Sequence, residues 1–205
     1  MNPRGHKVIA QAYVERESFK DVYPWFLQLK ENSLNPTHAT MDGERSIIRA
    51  LKLTWPGIKL QRCLYHIEHE GMRWLRTYPI TEAGKDLRRI LRSLSSIVTI
   101  KERNYFIASY RNWLFKYKNF VMSLPRATVA FKDLQRTITL INNALPDMFR
   151  YLTDKYIHKT TNALEGFHSR LKTDYQRHRG LTRKHRINYI QWYCYFKNNK
   201  SSNTF

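Results

Sequence analysis

Thr37-His38-Ala39-Thr40-Met41-Asp42-Gly43 is a short strand running into a helix start, and Ile58-Lys59-Leu60-Gln61-Arg62-Cys63 alternates as a second strand. Between them, Ile47, Ile48, Leu51 and Leu53 recur at helical spacing until Trp55-Pro56-Gly57 breaks the pattern. Upstream, Val8-Ile9-Ala10-Gln11-Ala12-Tyr13-Val14 is rich in β-branched and aromatic residues and reads as another strand. Ser18 to Lys30 then places Phe19, Val22, Trp25, Phe26 and Leu29 on one helical stripe, with Pro24 read as a first-turn residue. The order is β-α-β-α-β, the grammar of an α/β fold with a parallel sheet.

Beyond Leu64 the grammar changes. Leu, Ile, Trp, Tyr and Phe recur every three or four residues among charges, with breaks at Pro79, Pro125 and Pro146. This predicts helices near 64–77, 82–96, 99–119 and 130–144. After Lys159 come a helix bearing Glu165, a basic turn from Tyr175 to Gly180, and a last helix from Arg183 to Lys197.

The 205 residues carry 36 Lys and Arg against 16 Asp and Glu, a formal net charge of +20. Charge of that size reports a polyanionic partner, with nucleic acid first, and 42% apolar content is enough for a real core rather than a disordered basic tail. From Lys155 onward, eleven Lys and Arg face two acids, Glu165 and Asp174. Cys63 and Cys194 are too few and too far apart for a disulfide framework, and no secretory or membrane-spanning apolar run is present. A reducing cytoplasm is the expected location.

Asp42 follows a strand at the edge where α/β sites gather, which suits a metal-binding carboxylate, but Asp-Gly before an apolar helix also suits an N-cap. Glu165 has two readings as well. In Asn162-Ala163-Leu164-Glu165 it has capping-box spacing, while the surrounding Lys159, Arg170 and Lys172 favour an ionised acid in a phosphate-seeking region. Cys63-Leu64-Tyr65-His66 is half of a zinc pattern, with His69 one turn on and no second pair to complete it. Arg177 and Arg179, then Arg183, Lys184 and Arg186, form two dense basic patches suited to phosphate. The rings that follow, Tyr189, Trp192, Tyr193, Tyr195 and Phe196, read mostly as core, with stacking on an unpaired base as the alternative. No Gly-rich phosphate loop or dinucleotide fingerprint is present.

Met41-Asp42-Gly43, Gln61-Arg62-Cys63-Leu64-Tyr65-His66 and Thr161-Asn162-Ala163-Leu164-Glu165, running on to Leu171-Lys172, resemble in order and spacing the transposases of Mutator-type elements and their bacterial insertion-sequence relatives. Arg179-Gly180-Leu181 is a weaker echo. The resemblance implies an incomplete ribonuclease H-like α/β sheet with a large all-helical insertion before the last catalytic helix. It divides the chain into a partial core over 1–66, a helical insertion over 67–155, and a catalytic-Glu helix with a basic C-terminal helix over 156–205.

The resemblance also implies an Asp-Asp-Glu triad in which Asp42 is the second acid and Glu165 the last, both ligating Mg²⁺ or Mn²⁺. Cys63, His66 and Asn162 would support that site. Lys159, Arg170, Lys172, Arg177, Arg179, Arg183, Lys184 and Arg186 would contact DNA, whether transposon ends or target. The family's first Asp lies on a strand upstream of the one beginning at Val8, and its place is filled by no residue here; Glu15 and Glu17 match a non-catalytic position. The expectation is a C-terminal transposase piece that binds DNA, holds metal weakly or not at all, and is inactive alone. A further copy or a full-length transposase is an expected partner. The alternative is a non-catalytic DNA-binding regulator of such an enzyme, and a basic RNA-binding protein is a third reading.

Overall fold

The computed structural model describes residues 1, 7–14, 16–178 and 180–199. In chain order these give α1 (Phe19–Glu31), β1 (His38–Met41), α2 (Arg45–Thr54), β2 (Lys59–Arg62), α3 (Leu64–Trp74), α4 (Glu82–Leu91), α5 (Ile100–Ser123) and α6 (Val129–Ala144). A 3-10 turn (Arg150–Leu152), α7 (Asn162–Gln176) and α8 (Arg183–Asn199) follow. The chain divides into two compact units, residues 1–37, 44–58 and 161–205 in one and residues 38–43 and 59–160 in the other.

The first unit contains α1, α2, α7 and α8. Ser18 starts α1, its hydroxyl oxygen accepting the Asp21 N–H, so the helix begins at Phe19 and Pro24 lies in its interior. Pro24 is therefore not a first-turn residue, because the Ser18 cap fixes the start more than a turn upstream. Val22 and Phe26 are the buried positions of α1. Phe26 packs on Trp55 with 5.5 Å between ring centroids, and the Trp55 indole N–H donates to Leu34 O at 3.0 Å. Lys30 Nζ donates to the Thr54 carbonyl at the end of α2, where a cation complements the helix dipole.

The strand expected over residues 8–14 is not formed. Val8 is held by a side chain: its N–H donates to Asn198 Oδ1 and its carbonyl accepts from Asn198 Nδ2, both at 2.8 Å. Ile9 and Tyr13, which would have faced a core, are exposed.

The second unit is built on the parallel pair β1 and β2, with His38 opposite Lys59, Ala39 opposite Leu60, Thr40 opposite Gln61 and Met41 opposite Arg62. Cys63 N–H donates to Met41 O and so continues the ladder past Arg62. Leu60, Gln61 and Arg62 are all buried, as expected of a parallel strand covered on both faces. Helices α3 to α6 enclose one apolar cluster: Leu64 and Ile67 from α3, Leu87 and Leu91 from α4, Phe106, Tyr110 and Trp113 from α5, and Leu134 and Ile141 from α6. Gly71 on α3 faces Leu91 of α4. A Cβ there would sit 2.6 Å from Leu91 Cδ1, inside van der Waals contact.

Gln61 is fully buried and its amide is fully used. Nε2 donates to Met148 O and Arg62 O, both at 2.7 Å, and Oε1 accepts the Tyr151 N–H at 3.2 Å. It joins β2 to the segment at the end of the helical stretch, as does the Arg62 N–H, which donates to Asp147 O at 2.9 Å. This explains why the strand pair and the helices over 64–160 form one unit.

Asp86 on α4 binds α5: it accepts the Tyr117 hydroxyl at 2.6 Å and lies 3.3 Å from Lys116 Nζ. The Tyr117 bond, the largest effect, holds its pKa below the ordinary carboxylate value; burial opposes it, and Lys116 and Arg89 add to it. A depressed folded-state pKa gives stability that is present above the unfolded-state pKa of about 3.9 and is lost as pH falls through the lower folded value. Asp86→Asn should therefore lower Tm at pH 6 and converge with the parent in the acid limb. Thermal unfolding of both proteins from neutral pH into that limb checks this, and a constant Tm gap would contradict it.

Candidate functional site

The two acids that the sequence singles out lie in different units, Asp42 with the strand pair and Glu165 with α7. Asp42 directly follows β1 and is exposed. It does not cap α2. Glu44 does so, its carboxylate accepting the Ser46 N–H at 3.2 Å, while Asp42 Oδ1 accepts the N–H of Gly43 at 2.6 Å.

Arg62, the last residue of β2, reaches Asp42. Its Nε donates to the Asp42 carbonyl, and its guanidinium occupies the space that a Cβ on Gly43 would fill. The residue is 8% exposed. Burial lowers the Arg62 pKa, and the negative charges of Asp42 and Asp147, with a smaller effect of Cys63, oppose that shift. A side chain at Gly43 would therefore meet the Arg62 guanidinium beside the segment that bears Asp42, a neighbour that the Asp-Gly pair alone did not disclose.

Cys63 is fully buried at the N-cap of α3 without a side-chain capping bond, and His66 follows on the first turn, half-buried. Tyr65 stacks on His69 at 5.6 Å. Cys63 and Cys194 form no disulfide, and burial raises the Cys194 thiol pKa. Lys159 is half-buried, with Nζ donating to the Ser95 carbonyl at 2.8 Å, so it is engaged within its own unit.

Glu165 lies in the first turn of α7 and is exposed. The N-cap is Thr161, not Asn162, which moves Glu165 one position beyond the one a capping box requires. Its Oε1 instead accepts the Thr161 hydroxyl at 3.3 Å. Asn162 is exposed as the first helical residue. Arg170, one turn on, has Nη1 3.5 Å from the position of a Gly166 Cβ, so its guanidinium folds back along α7 toward the turn that carries Glu165.

Arg170 and Lys172 on α7, Arg177 just after it, and Arg183, Lys184 and Arg186 on α8 are all exposed and belong to one unit. Arg179 lies outside the described residues, as does Glu15. Gly180, at φ +90°, turns the chain between the two helices in a conformation that favours glycine. Thr182 then closes the start of α8, its hydroxyl 2.9 Å from His185 Nδ1 and its carbonyl accepting the Arg186 N–H.

The rings of α8 divide into two groups. Tyr193 packs on Phe167 at 5.7 Å and Tyr189 on Tyr175 at 6.0 Å, and both are half-buried. Trp192, Tyr195 and Phe196 are 59%, 57% and 54% exposed and are not core. Five rings within eight residues spread over more than one helix face, and the face bearing 189 and 193 meets α7.

Among the described residues no group of three or more His, Cys, Asp or Glu side chains is arranged to hold a metal ion. Asp42 has one oxygen on a backbone N–H and a guanidinium beside it, and Glu165 has one oxygen on a hydroxyl. No helix among the described residues is long and apolar enough to cross a membrane. No protein-family model matches the chain, and a search of curated proteins finds no match.

Proposed function

We propose that this chain is a piece of a DDE-type transposase core that acts on transposon-end DNA, and that alone it binds DNA without cutting it. The observation that carries the DNA partner is the charge distribution: six exposed Lys and Arg side chains on or beside α7 and α8, with no acid on α8 at all. A surface of that kind attracts a polyphosphate by counterion release and steers its encounter. The transposase part rests on the resemblance of three sequence motifs. It is supported by Asp42 standing at the C-terminal end of a parallel strand, the edge where active sites of open α/β sheets gather.

In this reading Asp42 and Glu165 are the second and last acids, with Cys63, His66 and Asn162 as supporting residues. Strand transfer needs a third carboxylate, for which no residue of the chain matches the family's motif, so the divalent cation belongs to the complete enzyme. Mg²⁺ or Mn²⁺ binding by this chain is accordingly weak or absent. A second copy or a full-length transposase is the proposed protein partner, in the cytoplasm on nucleoid DNA.

The test of the acids is a Mn²⁺ titration followed by calorimetry on the parent, Asp42→Asn and Glu165→Gln. The expected result is a weak response in the parent that either substitution removes. An equal, measurable response in all three would place the ion elsewhere and return both acids to purely structural roles.

A further inference from the structure

Helix α8 has two unlike faces. Ile187, Ile190, Tyr193 and Cys194 are buried or half-buried, while Lys184, Asn188, Gln191, Trp192, Tyr195 and Phe196 are exposed. At 3.6 residues per turn the exposed positions form a single stripe, about 18 Å long from Lys184 to Phe196 at 1.5 Å per residue. Trp192 and Phe196 lie in an offset stack at 5.6 Å and 25°, with Tyr195 edge-on to Trp192 at 5.7 Å.

Large rings that are more than half exposed call for a ligand with flat apolar faces. The rest of the stripe says which kind. Two amides, Asn188 and Gln191, lie between the cation at its N-terminal end and the rings, and the whole helix carries Arg183, Lys184, Arg186 and Lys197 with no Asp or Glu. A protein-binding patch concentrates apolar residues and is depleted of lysine at its centre. Rings beside acid-free basic positions instead match single-stranded nucleic acid, whose bases stack on aromatics while the phosphates meet the cations. Duplex DNA keeps its bases stacked on one another and has no ring face to offer.

We propose that this face of α8, from Lys184 through Asn188 to Trp192, Tyr195 and Phe196, binds single-stranded DNA by stacking its rings on unpaired bases. The inference rests on the DNA partner assigned above and names the form of DNA taken: strand ends or locally unpaired bases. Trp192 and Tyr195 stack, and Lys184 contacts a backbone phosphate.

The experiment measures fluorescence anisotropy of labelled oligothymidylate, of oligouridylate and of a duplex of equal length, at one salt concentration and over a salt series. The proteins are the parent, Trp192→Ala, Trp192→Phe and Tyr195→Ser. Loss of one stacked base weakens binding about 5- to 150-fold. Trp192→Ala and Tyr195→Ser should therefore weaken oligothymidylate binding by a factor in that range. Duplex affinity and the salt slope should stay unchanged, and Trp192→Phe should keep most of the single-strand affinity. Both positions are exposed, and circular dichroism verifies that each variant is folded.

Three outcomes overturn the inference: unchanged single-strand affinity in both truncations, equal loss on both forms of DNA, or preference of the parent for oligouridylate. A fourth is self-association of the parent that Trp192→Ala abolishes with no single-strand loss, which would make a second copy the occupant. If the parent binds duplex DNA while the single-strand effect is missing, only this inference fails; if it binds no DNA, the proposed function fails with it.

Discussion

Gln61→Leu should destabilise the unit that carries the strand pair by about 3 kcal/mol, a large part of the ~5–15 kcal/mol that holds a typical domain together. The side chain is fully buried, and all of its hydrogen-bonding capacity on the amide is directed at backbone groups. Leucine fills similar volume but offers neither donor nor acceptor. The buried Met148 and Arg62 carbonyls would lose a donor, at about 1–3 kcal/mol each when left unmet, and the part-buried Tyr151 N–H would lose its acceptor. Gln61→Glu is a useful companion, since it keeps the acceptor for Tyr151 and loses both donated bonds. Chemical denaturation measures both. A midpoint for Gln61→Leu equal to the parent's would show that the amide is not the strut described here.

Replacing Arg177, Arg183, Lys184 and Arg186 together with glutamine should cost roughly a thousandfold in duplex DNA affinity at ~0.15 M salt, because each phosphate contact is worth about 0.7 log units there. The slope of log K against log salt should shrink by about 3.6 at the same time. All four side chains are exposed, and the Arg177–Asp174 ion pair at 3.6 Å is a surface pair whose loss costs little stability. An unfolding curve close to the parent's is therefore expected. A large affinity loss without a change in slope would mean that these residues act through structure and not through phosphate.

Most elements were legible in the sequence because their apolar positions repeat with one clear period. Helices α3 to α6 fall where the spacing and the proline breaks put them, and the strand pair is bounded by Asp42-Gly43 and Trp55-Pro56-Gly57. The segment over 8–14 was misread because β-branched composition describes a residue's preference and not the presence of a partner backbone; Asn198, far along the chain, took that place. The helix starts misled for a local reason. The caps are near neighbours of the residues the pattern pointed to: Glu44 stands at the start of α2, two residues after Asp42, and Thr161 at the start of α7, one residue before Asn162. Gln61 was visible within a motif, but its task was not, because its partners Met148 and Tyr151 are 87 and 90 residues away. The exposed rings of α8 were hidden by their own density, since five aromatics in a short span satisfy a helical period on either face.

The most direct measurement is competitive binding of the parent protein to three ligands at one salt concentration: duplexes carrying terminal inverted repeats of Mutator-type elements, scrambled duplexes of the same length, and structured RNA. The account predicts preference for the inverted repeats over scrambled duplex and for either over RNA. Retention of RNA in preference to both DNAs, with no discrimination between repeat and scrambled sequence, would contradict it.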